Sequence, residues 1–121
     1  MITYAFLDEI KEKFPLILSR KLINSVDIDD MAIDYKASLE DELNKQLMLL
    51  KDKTNLFSEA CERGDEIAVK SFLLEMRTHA MSLSGFFDAI AEDATLLIKA
   101  DGWPDIPEDY QIPDHYNYPN Q

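Results

Sequence analysis

The chain has one cysteine, three glycines and two histidines in 121 residues. A lone cysteine cannot close an internal disulfide. Three scattered glycines do not form a phosphate-cradling loop of the nucleotide-binding kinds. No apolar run approaches the roughly 20 residues that a membrane-spanning helix needs. Met1-Ile2-Thr3-Tyr4 offers no basic segment leading into an apolar stretch and a cleavage site. A cytoplasmic protein is therefore expected. Positive charge is also scarce: 12 Lys and Arg stand against 24 Asp and Glu, for a net charge of -12. The imbalance is uneven, at +1 over residues 1–26, -5 over 27–63, -3 over 64–100 and -5 over 101–121, where no basic residue occurs. A surface of this sign repels nucleic-acid backbones and anionic membranes and attracts basic partners. It also serves solubility alone.

What the chain does have is helical periodicity. Met31, Tyr35, Leu39, Leu43, Leu47, Leu50, Thr54, Phe57 and Cys61 recur in steps of three and four, which keeps them on one helix face. Val69, Phe72, Met76, Ala80, Leu83, Phe87, Ile90, Ala94 and Leu97 repeat the rhythm. Each arm spans about 35 residues, or roughly 50 Å. Asp29 or Asp30 is the expected cap of the first arm. Between the arms, Gly64 suits the left-handed conformation that ends a helix and Asp65 suits the cap that opens the next. So short a link makes the arms antiparallel neighbours. Cys61 is expected on the buried face. Ser82-Leu83-Ser84-Gly85 is the weakest helix former of the second arm and a candidate break. Ala68, Ser71, Thr78, Ser82, Gly85 and Ala89 form a stripe of small residues, read as a close intramolecular contact.

Thr3 is the expected cap of a first helix from Tyr4 to Lys13, with Pro15 opening a second short helix to about Ile23. Exposed i,i+4 pairs are expected at Lys36–Glu40, Asp41–Lys45, Glu59–Arg63 and Glu66–Lys70. After Ala100, Gly102 and four prolines from Pro104 to Pro119 forbid helix. Trp103, Ile106, Tyr110, Ile112, Tyr116 and Tyr118 punctuate this acidic stretch, and residues 103–112 are expected to lie extended across the helices. The fold class that follows is all-α: a long antiparallel helical hairpin, one or two short N-terminal helices packed across it, and an extended Pro/Tyr-rich tail. The helical domain is residues 1–102 and the tail residues 103–121.

Catalytic chemistry finds little footing. His79 lies four residues after Glu75, a possible two-ligand face, but no second such motif accompanies it. Cys61 and His79 would form a minimal nucleophile–base pair, yet the hairpin holds them about 15 Å apart by helix rise. Adjacent carboxylates at Asp29-Asp30, Glu40-Asp41-Glu42, Glu92-Asp93 and Glu108-Asp109 are read as exposed helix and tail surface, whereas acid–base work needs two carboxyls held in a cleft. No catalytic residue, metal or cofactor is expected. Residues 56–75, around Ala60-Cys61-Glu62-Arg63-Gly64-Asp65 and Val69-Lys70-Ser71-Phe72-Leu73-Leu74, resemble one ankyrin-type helix–turn–helix. The resemblance has no second copy in the chain and implies only a similar Gly-Asp turn.

The expected function is protein–protein binding, as an inhibitor, immunity protein or adaptor directed at a basic partner such as a nucleic-acid-processing protein. Asp34, Asp41, Asp52 and Glu59 along the first arm, with Trp103, Tyr110, Tyr116 and Tyr118 in the tail, are the candidate contact residues. Two alternatives stand beside it. One is a nucleic-acid mimic built on helix-surface carboxylates; the other is a self-assembling helical protein with a small-ligand site between subunits. No direct contact with nucleic acid or membrane is expected.

Overall fold

The computed structural model describes residues 3–21 and 28–119. Three α-helices make the molecule: α1 (Leu7–Arg20), α2 (Leu39–Arg63) and α3 (Glu66–Ile98), with short 3₁₀ turns at Ile28–Asp30 and Asp114–Tyr116. No strand occurs among the described residues.

Reversal takes place at residues 64 and 65. Gly64 adopts φ 68°, ψ 23°, and its N–H reaches back to the Cys61 carbonyl. The Asp65 N–H donates to the Ala60 carbonyl at 3.0 Å. These two bonds satisfy carbonyls that the helix end would otherwise leave bare. The Asp65 carboxylate accepts from the Ala68 amide at 3.1 Å and opens α3, with its charge at the positive end of the helix dipole. The arms then run antiparallel, and Lys53 of α2 pairs with Glu75 of α3 at 3.3 Å.

The seam of α2 is not the expected row to its end. Ala60, not Cys61, is buried, and both Thr54 and Cys61 are exposed. A helix of 3.6 residues per turn drifts off a fixed series of three-and-four steps, so the buried line passes to Phe57 and Ala60.

Three further expectations change. The first arm opens at Leu39 rather than near residue 30. Ser38 is its cap, and the hydroxyl accepts from the Asp41 amide at 3.2 Å. Lys36 therefore precedes the helix and cannot form an i,i+4 pair with Glu40, while Glu59–Arg63 closes at 3.0 Å. The N-terminal piece is one helix, not two. Its start at Leu7 follows a turn in which Leu7, Asp8 and Glu9 donate to the carbonyls of Tyr4, Ala5 and Phe6, without a side-chain cap. Pro15 lies inside it. The ring removes one donor, the bond to the Lys11 carbonyl, and the helix continues, with Ile10 and Phe14 packed against the core. Leu22 and Ile23, expected at its end, fall outside the described residues. Finally, α3 runs unbroken past Gly85. Leu83 is buried against the other helices there, so packing overrides a weak local propensity.

The core sits where α1 crosses the open end of the hairpin. Leu7, Ile33, Leu39, Leu43 and Leu83 form its centre, with Phe14, Tyr35, Phe86 and Ile90 packed around them. The tail is attached at Trp103. The indole N–H donates to the Leu97 carbonyl at 2.8 Å, while Lys21 donates to the Gly102 carbonyl at 3.0 Å and lies 4.3 Å from the centre of the indole ring. Every described residue from Asp101 onward is exposed.

Candidate functional site

One carboxylate arranges the open end of the hairpin. Asp93, on α3, is 2% exposed. Its Oδ1 accepts the Ala32 amide at 2.7 Å, and its Oδ2 accepts the Ile33 amide and the Tyr35 hydroxyl, each at 2.9 Å. Three donors saturate a charge that would otherwise be costly to bury. The same bonds tie the segment before α2, through Ala32, Ile33 and Tyr35, to α3. Met31 and Ile33 turn inward while Ala32 and Asp34 face out. Tyr35 is half-buried, and burial foremost, then the hydrogen bond to Asp93 and its negative charge, raise the phenol well above its ordinary range. Tyr35 is thus a permanent donor at neutral pH.

The segment that Asp93 fixes forms one wall of a groove. The N-terminal turns of α2 supply the opposite wall, and Phe86, Ala89 and Ile90 of α3 supply the floor. The groove encloses about 450 Å³, within the range of about 300–1,000 Å³ usual for ligand clefts. Its base is apolar, with Ile33 and Leu39 beside Phe86 and Ile90. Its rim carries Asp34, Asp41 and Glu42, against the single cation Lys45. Asp34 is held in place by its own turn, since its carboxylate accepts the Lys36 amide at 3.0 Å. The only hydroxyl in the lining, Ser38, is engaged as the helix cap. Such a surface can seat an apolar side chain and attract cations around it; it presents no nucleophile with a base.

Of the expected contact residues, Asp34 and Asp41 come together on this rim. Asp52 and Glu59 continue along the same face of α2 but lie about 17 and 27 Å further from Asp41 by helix rise, and Glu59 is engaged by Arg63. Trp103 lies apart from this rim, lining a shallow depression of about 400 Å³ with Ile98, Pro104 and Ile106. Tyr110, Tyr116 and Tyr118 are exposed along the tail, with the Tyr116 ring tilted against His115 at 4.2 Å between centroids.

Sequence reasoning missed Asp93, placing it with Glu92 on an exposed surface. The signal was present: Phe86, Ile90, Asp93 and Leu97 fall at steps of four, three and four, so Asp93 occupies a slot in the buried stripe. Glu42 and Lys45 were passed over as solvated helix surface, and only the tertiary fold sets them beside a groove. Glu75 pairs with Lys53 next to His79, and no group of three or more metal-capable side chains gathers among the described residues. No helix among the described residues is long and apolar enough to cross a membrane. No family model, curated protein or solved structure matches the chain.

Proposed function

We propose that the protein acts by binding, without catalysis, and that the groove beside Asp34, Asp41 and Glu42 takes a basic segment of a protein partner. The observation that supports this reading is the union of an apolar floor with a three-carboxylate rim. An apolar anchor of the partner fills the floor, where contact area supplies most of the affinity. Its flanking Lys or Arg residues meet the rim, which speeds encounter and rejects acidic competitors. Partners that carry such segments include nucleic-acid-processing proteins, and an inhibitor or adaptor role follows from occupying them. The single, exposed cysteine suits a reducing compartment such as the cytoplasm. The mimic reading has less support. Asp41, Asp52 and Glu59 recur along α2 at about 17 and 11 Å, sparse beside one phosphate for each 3.4 Å of a strand.

Selection of a random peptide library on the intact protein tests the proposal. Enriched sequences should pair a Leu, Phe or Met with neighbouring Lys or Arg, and their binding should weaken as salt rises. The combined Asp34→Asn, Asp41→Asn and Glu42→Gln variant should lose that binding while keeping its helicity. Peptides that lack basic residues, or that bind the variant equally well, would refute the groove as the site.

A further inference from the structure

The hairpin is finished at one end only. Near α1 its two helices enclose Leu39, Leu43, Leu83 and Leu97. Between residues 44 and 82 the sole buried residue is Ala60. Two helices alone cannot cover one another's apolar stripes; bundles close with a third or fourth. The surface area records the deficit. A monomer of 13.9 kDa is expected to expose about 6,700 Å², whereas this chain exposes 9592 Å². The extended tail contributes to the excess, and so does the back of α3.

That back carries an apolar row, flanked by the exposed Lys70 and Arg77. Ile67, Leu74 and Met81 are 84%, 54% and 63% exposed. Their spacing of seven keeps them within about 20° of one another per step, in a row of about 21 Å pointing away from α2. Between them, the Thr78 hydroxyl is already bonded to the Leu74 carbonyl at 3.1 Å, so covering it strands no donor. Beside Leu74 a depression of about 420 Å³ opens between the helices, lined by Leu49 and Thr78 and edged by the Lys53–Glu75 pair. A row of apolar knobs beside a depression roomy enough to receive them is the self-complementary surface that a two-fold interface requires.

Charge selects the occupant. Residues 67–87 hold only Lys70, Glu75 and Arg77 and sum to +1, in a chain of net -12. This is the stretch of the hairpin poorest in carboxylates, with Glu75 alone and paired to Lys53, so two acidic copies meet there with least repulsion, and charge depletion marks interface centres. We infer that the back of α3, through Ile67, Leu74 and Met81, binds a second copy of this chain and so covers the apolar row that the hairpin leaves exposed. A stable interface removes about 800 Å² per partner, well below the excess area. The groove lies at the other end, so the dimer stands or falls independently of the peptide-binding proposal.

Sedimentation velocity on the intact chain decides the matter, run across a concentration series at about 50 mM and about 500 mM salt. The expected result is a monomer–dimer equilibrium that strengthens at high salt, because screening relieves repulsion between two anionic chains; groove binding to a basic peptide weakens over the same range. Leu74→Glu and Met81→Glu should each raise the dissociation constant at least about tenfold. Both side chains are exposed in the single chain, so these variants keep the monomer's helical signal. The rim variant lacking Asp34, Asp41 and Glu42 charges should dimerise normally. A chain that stays monomeric at every concentration, whether its α3 back is bare, covered by its own tail or kept for another protein, overturns the inference. So does a dimer indifferent to Leu74→Glu.

Discussion

Asp93 of α3 accepts the Tyr35 hydroxyl at 2.9 Å across 58 residues of sequence. With the amides of Ala32 and Ile33 on the same carboxylate, this contact fastens the segment before α2 to the far end of the hairpin and shapes the groove wall. Removing it tests the whole open end. Asp93→Ala leaves three donors without an acceptor and should lower stability by about 3–5 kcal/mol. Asp93→Asn should recover only part, because its amide turns a donor toward donors. Urea unfolding followed by helical circular dichroism measures both, and a loss below about 1 kcal/mol for Asp93→Ala would contradict the geometry.

The Tyr35 phenol should make the fold sensitive to alkali. Its folded pKa is raised above the unfolded value of about 10, so the native state holds this proton more tightly. The resulting stability is fully present below about pH 10 and is lost as pH rises through the folded pKa. Tyr35→Phe should cost about 1 kcal/mol at neutral pH through the lost hydrogen bond, yet lose less than the parent as pH rises above about 10. Equal alkaline losses in the two proteins would show that Tyr35 does not titrate as described.

The turn offers a test of backbone conformation apart from packing. A Cβ at Gly64 meets nothing within 4 Å, while φ is +68°. Gly64→Ala should therefore destabilise by about 1 kcal/mol from the left-handed backbone alone. Asp65→Ala removes the α3 cap and should cost a similar amount. Changes in the urea midpoint with a constant slope would identify both as stability effects.

Pro15 points the other way. It sits inside α1, where proline typically costs about 3 kcal/mol. Pro15→Ala restores the donor to the Lys11 carbonyl and should raise stability by about 1 kcal/mol or more after the lost ring contacts. A neutral or destabilised variant would mean that the ring's packing outweighs the missing hydrogen bond.

Trp103 is the only tryptophan, which makes the tail attachment directly visible. Lys21→Met keeps the aliphatic stem but removes the cation and its bond to the Gly102 carbonyl. Indole fluorescence should move to longer wavelength as the ring becomes more hydrated, with a loss of about 1 kcal/mol or less. Trp103→Phe should speed proteolysis between Asp101 and Pro104, since the bond to the Leu97 carbonyl goes with the indole nitrogen.

The hairpin was legible in the residues because its determinants are local. Apolar periodicity sets a helix and its face, and Gly64 with Asp65 closes one helix and caps the next through bonds only a few residues long. The same locality explains the errors. Met31 to Leu39 fits a helical step and also an alternating one, and nothing nearby chooses between them. The choice rests on contacts distant in sequence: Asp93, 60 residues away, accepts the Ile33 amide, and Ile33 packs into the core. Pro15 and Gly85 read as breaks on propensity alone, whereas Phe14 and Leu83 pack into a shared core that keeps both helices whole. The sequence by itself determined which stretches are helical and where the chain reverses. Only the tertiary structure decided which carboxylate is buried, where α2 begins and that Asp34, Asp41 and Glu42 share a groove, because burial and long-range hydrogen bonds are properties of surfaces brought together.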